Sequence, residues 1–150
     1  KLYKSKISEY EEKKKKVHSV ENFIKDSIPS SFYPLYEKEF KYNDFTLDFM
    51  KEIRQSSTIL GKYKTFASTP NSKSFFYNNG AYCWETKAGR KTEVIVYCSN
   101  ENRLVSVVEP RTCEYTAVFV SPAACSNENL NSLANMTLDQ LQEMKNRIGI

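Results

Sequence analysis

Four cysteines lie within the 43 residues from Cys83 to Cys125, at intervals of 15, 15 and 12 residues. No CxxC pair occurs, and the single histidine, His18, is far away in sequence. Zinc sites prefer closely paired thiolates, so this spacing favours disulfides and indicates an oxidising compartment. The alternative is that the cysteines are reduced core residues of a cytosolic protein, because free cysteine is itself well buried. Four cysteines allow three pairings, and the intervals alone do not choose between them.

The length and composition predict one folded domain with helical extensions. The chain has 150 residues, of which 40% are apolar and 13% aromatic, enough for a real core. Its net charge is +4, and much of the excess lies in the run Lys13 to Lys16. A solvated helical face explains such a run better than a nucleic-acid surface. No apolar stretch approaches the roughly 20 residues of a membrane span. The chain begins at Lys1 without Met, so we expect it to be part of something longer.

Residues 1–28 are predicted to form an N-terminal helical region, with the helix over residues 2–26. The apolar residues of a 3-4 heptad seam support this prediction: Tyr3, Ile7, Tyr10, Val17 and Ile24. Lys14 and Glu21 occupy the intervening seam positions, which argues against an autonomous dimer. We expect the helix to pack on its own domain or to continue an upstream coiled coil, and Pro29 ends it.

Residues 32–126 are predicted to form a mainly β domain. Three runs are strong strand candidates, at 93–98, 103–108 and 113–120, and the segments 99–102 and 109–112 resemble hairpin turns between them. Weaker candidates are residues 45–50, 63–66 and 75–84, the last interrupted by a turn at Asn78-Asn79-Gly80. This spacing predicts an antiparallel sandwich or flattened barrel.

Residues 127–150 form a predicted helical tail. Thr137 and Gln140 match a capping box, and a mainly apolar stripe follows at Leu138, Leu141, Met144, Lys145 and Ile148. We expect the stripe to dock on the β domain. Asn135 begins an Asn-Met-Thr glycosylation sequon, which would be usable in an oxidising compartment.

The cysteines sit in short motifs that together resemble the mannose 6-phosphate receptor homology (MRH) domain, most closely the branch found in the glucosidase II beta-subunit family. The matching strings are Asn79-Gly80-x-x-Cys83-Trp84, then Arg90, Val94 and Cys98, then Glu109-Pro110-x-x-Cys113-Glu114-Tyr115, then Ser121-Pro122-Ala123-Ala124-Cys125. The resemblance covers residues 32–126 at most and is strongest from 77 to 125. It implies a flattened β-barrel stapled by two disulfides, Cys83–Cys113 and Cys98–Cys125.

The resemblance also implies a mannose site with four contact residues: Gln55, Arg90, Glu109 and Tyr115. In the family the glutamine and arginine face the 2-hydroxyl of mannose, and the glutamate and tyrosine face the 3- and 4-hydroxyls. These residue types suit a sugar, because hydroxyls need fixed donors and acceptors together. One arginine and one glutamate sum to zero charge, which favours an uncharged mannose. Lys87 and Lys91 could meet a phosphate, but loop lysines are more often simply solvated.

Gln55 is assigned through the segment 46–55, which departs from the family pattern. Most members carry a cysteine and a Pro-Phe pair there, whereas this chain has Asp48-Phe49-Met50. An additional N-terminal disulfide is therefore absent, and the segment is either looser or held by packing of Phe40, Phe45, Phe49 and Ile53.

Trp84, the sole tryptophan, has two candidate roles. Its position beside Cys83 favours core packing over a disulfide, and stacking on a sugar face is the alternative.

The resemblance implies a non-catalytic lectin of the endoplasmic reticulum lumen, with mannose-containing N-glycans as ligand and a catalytic glucosidase alpha subunit as partner. We expect no cofactor, no metal, no nucleic acid and no membrane. No serine or cysteine of the β region has a histidine partner available, and no Gly-rich phosphate loop occurs. Two alternatives remain. One is a degradation-pathway lectin that reads trimmed glycans, although such lectins usually carry a Trp-Trp pair that is missing here. The other is a scaffold that binds no sugar.

Overall fold

A computed structural model describes residues 2–69 and 72–125 of the chain. One α-helix, α1, spans Leu2–Lys25, and two short 3-10 helices span Ser30–Leu35 and Pro122–Ala124. The ten strands are β1 Glu39–Tyr42, β2 Phe45–Asp48, β3 Glu52–Gln55, β4 Thr58–Ser68, β5 Lys73–Asn78, β6 Tyr82–Cys83, β7 Ala88–Gly89, β8 Lys91–Cys98, β9 Arg103–Arg111 and β10 Glu114–Ser121. The mainly β fold and the N-terminal helix are thus confirmed. The predicted C-terminal helix and Asn135 lie outside the described residues, and the domain bounds 1–28, 32–126 and 127–150 stay predictions.

Eight of the strands form one sheet that curls into a nearly closed barrel. Their order is β1-β2-β3-β4-β5-β8-β10-β9, so β1 and β9 are the two edges. The curl brings Phe40 of β1 against Phe119 of β10, with ring centroids 4.7 Å apart. Strands β6 and β7 pair only with each other, as a small hairpin before β8.

The prediction of an antiparallel sheet is wrong at one pair, because β8 and β10 run parallel. The chain leaves β8, passes the position of β10, forms β9, and returns as β10 between them. The segment 99–102 is therefore a crossover and not a hairpin turn. Polar contacts fix it to the end of β10: the Ser99 amide donates to the Ser121 carbonyl, and the Ser121 hydroxyl donates to Asn102 Oδ1 at 2.6 Å.

The predicted turn at 109–112 is displaced toward the C-terminus. Strand β9 runs through Glu109 and Pro110 to Arg111, and the turn consists of Thr112 and Cys113. Proline donates no backbone hydrogen bond, but β9 is an edge strand, where that loss is tolerated. Cys113 has a φ of 61°, the left-handed conformation that a tight turn requires.

The barrel core is aromatic. Along β10 the odd positions Tyr115, Ala117 and Phe119 point inward and alternate with half-buried residues, as expected for a strand with one face on a core. The first 3-10 helix contributes Phe32, which is fully buried and lies 5.2 Å from Phe75 between ring centroids. Phe49 contacts Phe75 at 4.8 Å and Phe119 at 5.5 Å. These rings join both halves of the sheet into one core.

Helix α1 is tied to the barrel at its C-terminal end. The Tyr63 hydroxyl donates to Asp26 Oδ2 at 2.6 Å, and Ile28 is buried in the core. Burial and this carboxylate raise the pKa of Tyr63. On the helix itself, Ile7 and Tyr10 are 41% and 67% exposed, so these two seam residues do not pack on the barrel. Among the described residues, no helix is long and apolar enough to cross a membrane.

Asp48, one of the residues that depart from the family pattern, places a carboxylate in the core. Asp48 is 7% exposed, its Oδ1 has no hydrogen-bond partner, and its Oδ2 lies 3.9 Å from Lys51 Nζ. Loss of hydration raises the pKa of Asp48, and Glu37, Glu39 and Glu52 raise it further, while Lys51 opposes them. The charged carboxylate therefore destabilises the fold.

We predict that Asp48→Asn stabilises the domain at neutral pH by about 1 kcal/mol. Because the folded-state pKa is raised, wild-type stability is full below the unfolded-state pKa and is lost as pH rises through the folded-state value. The advantage of the variant should therefore shrink as pH falls toward 4. Urea unfolding of both proteins between pH 4 and 8 measures this. Equal stability at every pH would contradict the assignment.

Candidate functional site

Two disulfides frame the candidate site, with the pairing that the resemblance implied. Cys83–Cys113 joins β6 to the turn between β9 and β10, and Cys98–Cys125 joins the end of β8 to the residue after the second 3-10 helix. The described residues contain no free cysteine, and the expectation of disulfides is confirmed. The first bridge fixes the loop that precedes Arg90 against the turn that separates Glu109 from Tyr115.

Arg90 is held rigidly between β7 and β8. Its backbone amide donates to the Ala81 carbonyl, and its own carbonyl accepts from the Gly80 amide. Its guanidinium Nη1 also donates to the carbonyls of Ala81 at 3.2 Å and Tyr82 at 2.7 Å. Gly80 is required here, because a Cβ atom would lie 2.6 Å from the Ile59 carbonyl oxygen. The loop is thus packed tightly enough to aim the arginine.

Tyr115 brings Arg90 and Glu109 together. It is 9% exposed and pairs with Thr92 across the parallel β8–β10 ladder. The Arg90 guanidinium and the Glu109 carboxylate both act on its hydroxyl. Burial is the main cause that raises the pKa of Tyr115; Arg90 lowers it and Glu109 raises it. Three of the four residues predicted for the site therefore meet in one network of interacting side chains.

Gln55 lies at the end of β3 and has a different partner. Its amide Nε2 donates to Asp44 Oδ2 at 3.1 Å, and Asp44 sits in the two-residue turn between β1 and β2. The β3–β4 turn after Gln55 leads to Ile59, whose carbonyl accepts from the Ala81 amide. A cavity of about 380 Å³ lies along this path, lined by Ser57, Thr58, Ile59, Lys62, Asn79, Gly80 and Ala81. The chain that follows Gln55 is thus joined to the Arg90 loop by a backbone hydrogen bond. The Gln55 side chain itself bonds Asp44.

The sequence did not single out Asp44 as a site residue. The signal was available, because Asn43-Asp44 is a turn dipeptide and Asn43 has a φ of 51°. An aspartate there can accept from a side chain at the adjoining strand end, which is how it orients Gln55.

Trp84 does not pack over a disulfide, so that expectation is wrong. Its residue surface is 84% exposed, whereas Cys83 is 2% exposed. Successive residues of an extended chain point to opposite sides, so the inward Cys83 turns both Tyr82 and Trp84 outward. The two rings meet edge to face with centroids 4.9 Å apart. They form an exposed aromatic pair beside the carbonyl that Arg90 binds.

The site offers fixed donors and acceptors without net charge. Arg90 supplies a planar fork of donors, Glu109 supplies acceptors, and Tyr115 can do both. Tyr115 is buried, Arg90 is half-buried and Glu109 is exposed, so the set is open to solvent on the Glu109 side. Within residues 2–69 and 72–125, no group of three or more His, Cys, Asp or Glu side chains could hold a metal ion. The arrangement is suited to binding a neutral polyhydroxylated ligand.

The nearly closed barrel and its two disulfides define the chain as an MRH domain. A family model described as "Glucosidase II beta subunit-like protein" matches residues 2–146, and the chain belongs to this family.

Curated relatives agree with the family. The "Glucosidase 2 subunit beta" of Schizosaccharomyces pombe is 38% identical over 88 residues, which cover 58% of this chain and 16% of that protein. The protein of the same name from Oryza sativa subsp. indica is 34% identical over 110 residues, covering 68% of this chain and 17% of its own length. The chain thus spans less than a fifth of these relatives.

One solved structure among those similar to the chain is titled "Crystal structure of the MRH domain of Glucosidase II beta bound to mannose". It is 37% identical, with a TM-score of 0.47, and the match covers 60% of this chain and 93% of that one.

The network predicts that Arg90 and Glu109 have opposite effects on the pKa of Tyr115. Glu109→Gln should lower the pKa of Tyr115, because the carboxylate that opposes ionisation is lost, and Arg90→Ala should raise it. Glu114→Gln is the matched control, since Glu114 is the neighbouring residue but pairs with Lys91 and Arg111. NMR titration of ¹³C-labelled tyrosine measures the effect. Shifts of the same sign in both variants would contradict the network.

The two disulfides should differ in what they do for the site. Their loops span 30 and 27 residues, so removal of either should cost a similar free energy of unfolding, about 3 kcal/mol in the chain-entropy model. Only the Cys83→Ala/Cys113→Ala variant should also disturb the Arg90–Tyr115 contact, because only that bridge holds the Arg90 loop.

Side-chain NMR shifts of Arg90 in both double variants test this, with Cys98→Ala/Cys125→Ala as the control. Equal perturbation of Arg90 in the two folded variants would refute the difference.

Proposed function

We propose that this chain is the mannose-binding lectin domain of a non-catalytic glucosidase II beta subunit. The single observation that carries the proposal is the set of interacting side chains Arg90, Tyr115 and Glu109. It joins a donor fork and a carboxylate through a buried hydroxyl. Mannose presents hydroxyls that donate and accept, so a pyranose can bond with the side-chain donors and acceptors of this set. The curated relatives are beta subunits, and a related MRH domain is described as bound to mannose.

Each residue has a role in the proposed site. Arg90 and Gln55 bond the 2-hydroxyl, whose axial orientation distinguishes mannose from glucose, and Asp44 orients the Gln55 amide. Glu109 and Tyr115 bond the 3- and 4-hydroxyls. Trp84, with its exposed ring beside this loop, offers an apolar face for stacking on a sugar ring.

The proposed cellular role follows from the family and from the weakness of single-sugar binding. A small polar site on one sugar gives affinities in the micromolar to millimolar range. A tethered partner raises the effective concentration of the glycan, so the domain would present mannose-rich N-glycans to a catalytic glucosidase alpha subunit bound by regions outside this chain. The two disulfides support an oxidising compartment, and we propose the endoplasmic reticulum lumen.

Substitution of Arg90 tests the lectin proposal. We expect Arg90→Ala to lose at least tenfold in retention on an immobilised mannose-rich glycan, because the donor fork that would bond the sugar hydroxyls is lost. Arg90→Lys should be intermediate, since it keeps the charge without the fork. Arg103→Ala is the control, because Arg103 is exposed and pairs only with the nearby Glu101 among the contacts described.

Unchanged retention of a folded Arg90→Ala variant would remove the lectin proposal and favour the scaffold alternative. If the domain is retained only by glycans that have been trimmed of their outer mannoses, the degradation-pathway lectin is favoured instead.

A further inference from the structure

A second concave surface lies on the outer face of the sheet. It encloses about 410 Å³ and is lined by Phe76, Asn78, Lys91, Thr92, Glu93, Pro110, Arg111, Glu114, Tyr115 and Thr116. We call this surface the outer cavity. It has Tyr115 in common with the candidate mannose site, while Arg90, Glu109 and Gln55 are not among its lining residues. The proposed function therefore leaves the outer cavity without a role.

Strand register assembles the outer cavity from four adjacent strands. One cross-strand row runs from Phe76 on β5 to Glu93 on β8 and Thr116 on β10. The next row runs from Lys91 on β8 to Glu114 on β10 and Arg111 on β9. The residues that alternate with these rows point into the core, so both rows face outward.

The charges of the outer cavity balance. Lys91 Nζ lies 3.2 Å from Glu114 Oε1, and Arg111 Nη1 lies 4.0 Å from Glu114 Oε2. Glu93 accepts from the Ser74 hydroxyl at 3.0 Å. Two cations and two carboxylates sum to zero, so the outer cavity has no net positive charge to attract a phosphorylated or otherwise anionic ligand.

The remaining chemistry of the outer cavity matches a carbohydrate. Asn78 and Thr116 add neutral groups that both donate and accept, and Phe76 is a half-buried aromatic ring in the wall. Polar groups of both kinds around one aromatic surface can bond the hydroxyls and cover the C–H face of a neutral hexose. The ion pair with Glu114 restricts the Lys91 side chain, which lowers the cost of ordering it on binding.

The outer cavity and the candidate mannose site use neighbouring residues of the same strands. Arg90 precedes Lys91, Tyr115 lies between Glu114 and Thr116, and Arg111 follows Glu109 by two residues. Tyr115 lines the outer cavity and also interacts with Arg90 and Glu109, so the two surfaces meet at this residue. Pro110 on the edge strand β9 lines the cavity and separates Glu109 from Arg111.

We propose that the outer cavity is a second saccharide subsite, which takes a further neutral hexose of the same oligosaccharide whose mannose occupies the Arg90–Tyr115–Glu109 site. This inference rests on the proposed function and deepens it. It makes the domain selective for glycan length and branching, because a lone mannose occupies one surface and an oligosaccharide occupies both.

Arg111→Ala tests the subsite against a control on the same strand. Both Arg111 and Arg103 are exposed residues of β9, and each is paired with a glutamate. We expect Arg111→Ala to weaken binding of a mannose-rich oligosaccharide three- to tenfold in calorimetric titration, and to leave methyl α-mannoside binding unchanged. Arg103→Ala should change neither.

A cavity-filling variant provides a second test that does not depend on charge. Thr116 is half-buried and lines the outer cavity, and tyrosine is well tolerated in strands. Thr116→Tyr should fill the cavity and weaken binding of the oligosaccharide by a similar factor, while binding of the monosaccharide stays unchanged.

The outcomes distinguish the two proposals. One outcome would overturn the subsite and leave the lectin function intact. In that outcome Arg111→Ala and Thr116→Tyr bind the oligosaccharide within twofold of the affinity of Arg103→Ala, while Arg90→Ala abolishes binding. If Arg90→Ala binds both ligands with undiminished affinity, the lectin function is overturned. Equal weakening of monosaccharide and oligosaccharide by Arg111→Ala would also overturn a separate subsite, since the effect would then lie in the mannose site.

Discussion

The Cys83–Cys113 disulfide is the constraint on which the candidate site depends. Cys83 ends the short strand β6, whose carbonyls and neighbours hold the Arg90 guanidinium, and Cys113 forms the tight turn between the strands of Glu109 and Tyr115. The bridge closes a loop of 30 residues that contains all of β8 and β9. A flexible loop that carries a charged ligand-binding residue would lose entropy on each binding event, and the covalent link removes most of that cost before binding.

The parallel pairing of β8 with β10 is the second constraint that positions the candidate site. It puts Thr92 opposite Tyr115, so that Arg90, just before β8, can reach the Tyr115 hydroxyl. Strand β9 then lies on the far side of β10 and brings Glu109 to the same hydroxyl. In a simple meander β9 would lie between β8 and β10, and Tyr115 would not be flanked by both. The crossover at 99–102 is thus a requirement of the site.

Local patterns predicted the elements better than their order. Alternation located β8, β9 and β10 within a few residues, because a half-buried strand imposes a period of two on its own sequence. The order β8-β10-β9 depends on contacts between distant residues, such as Ser121 with Asn102, and no local pattern encodes them. The disulfide pairing came from resemblance and not from spacing. The expectation for Trp84 is wrong because its neighbour Cys83 is buried, and the alternation of an extended chain then turns Trp84 outward.

The Gln55 segment shows how packing replaces a covalent link. Where the family carries a cysteine and a Pro-Phe pair, Phe49 and Ile53 are fully buried, and the Met50 amide donates to the Tyr77 hydroxyl at 2.8 Å. These contacts hold β2 and β3 against the aromatic core, so the segment is ordered without the disulfide. The replacement is imperfect, because Asp48 leaves one carboxylate oxygen buried without a partner. Gln55 therefore depends on noncovalent packing and on Asp44, while Arg90, Glu109 and Tyr115 depend on a covalent frame. The two residues proposed to bond the 2-hydroxyl of mannose, Gln55 and Arg90, thus differ in what holds them in place.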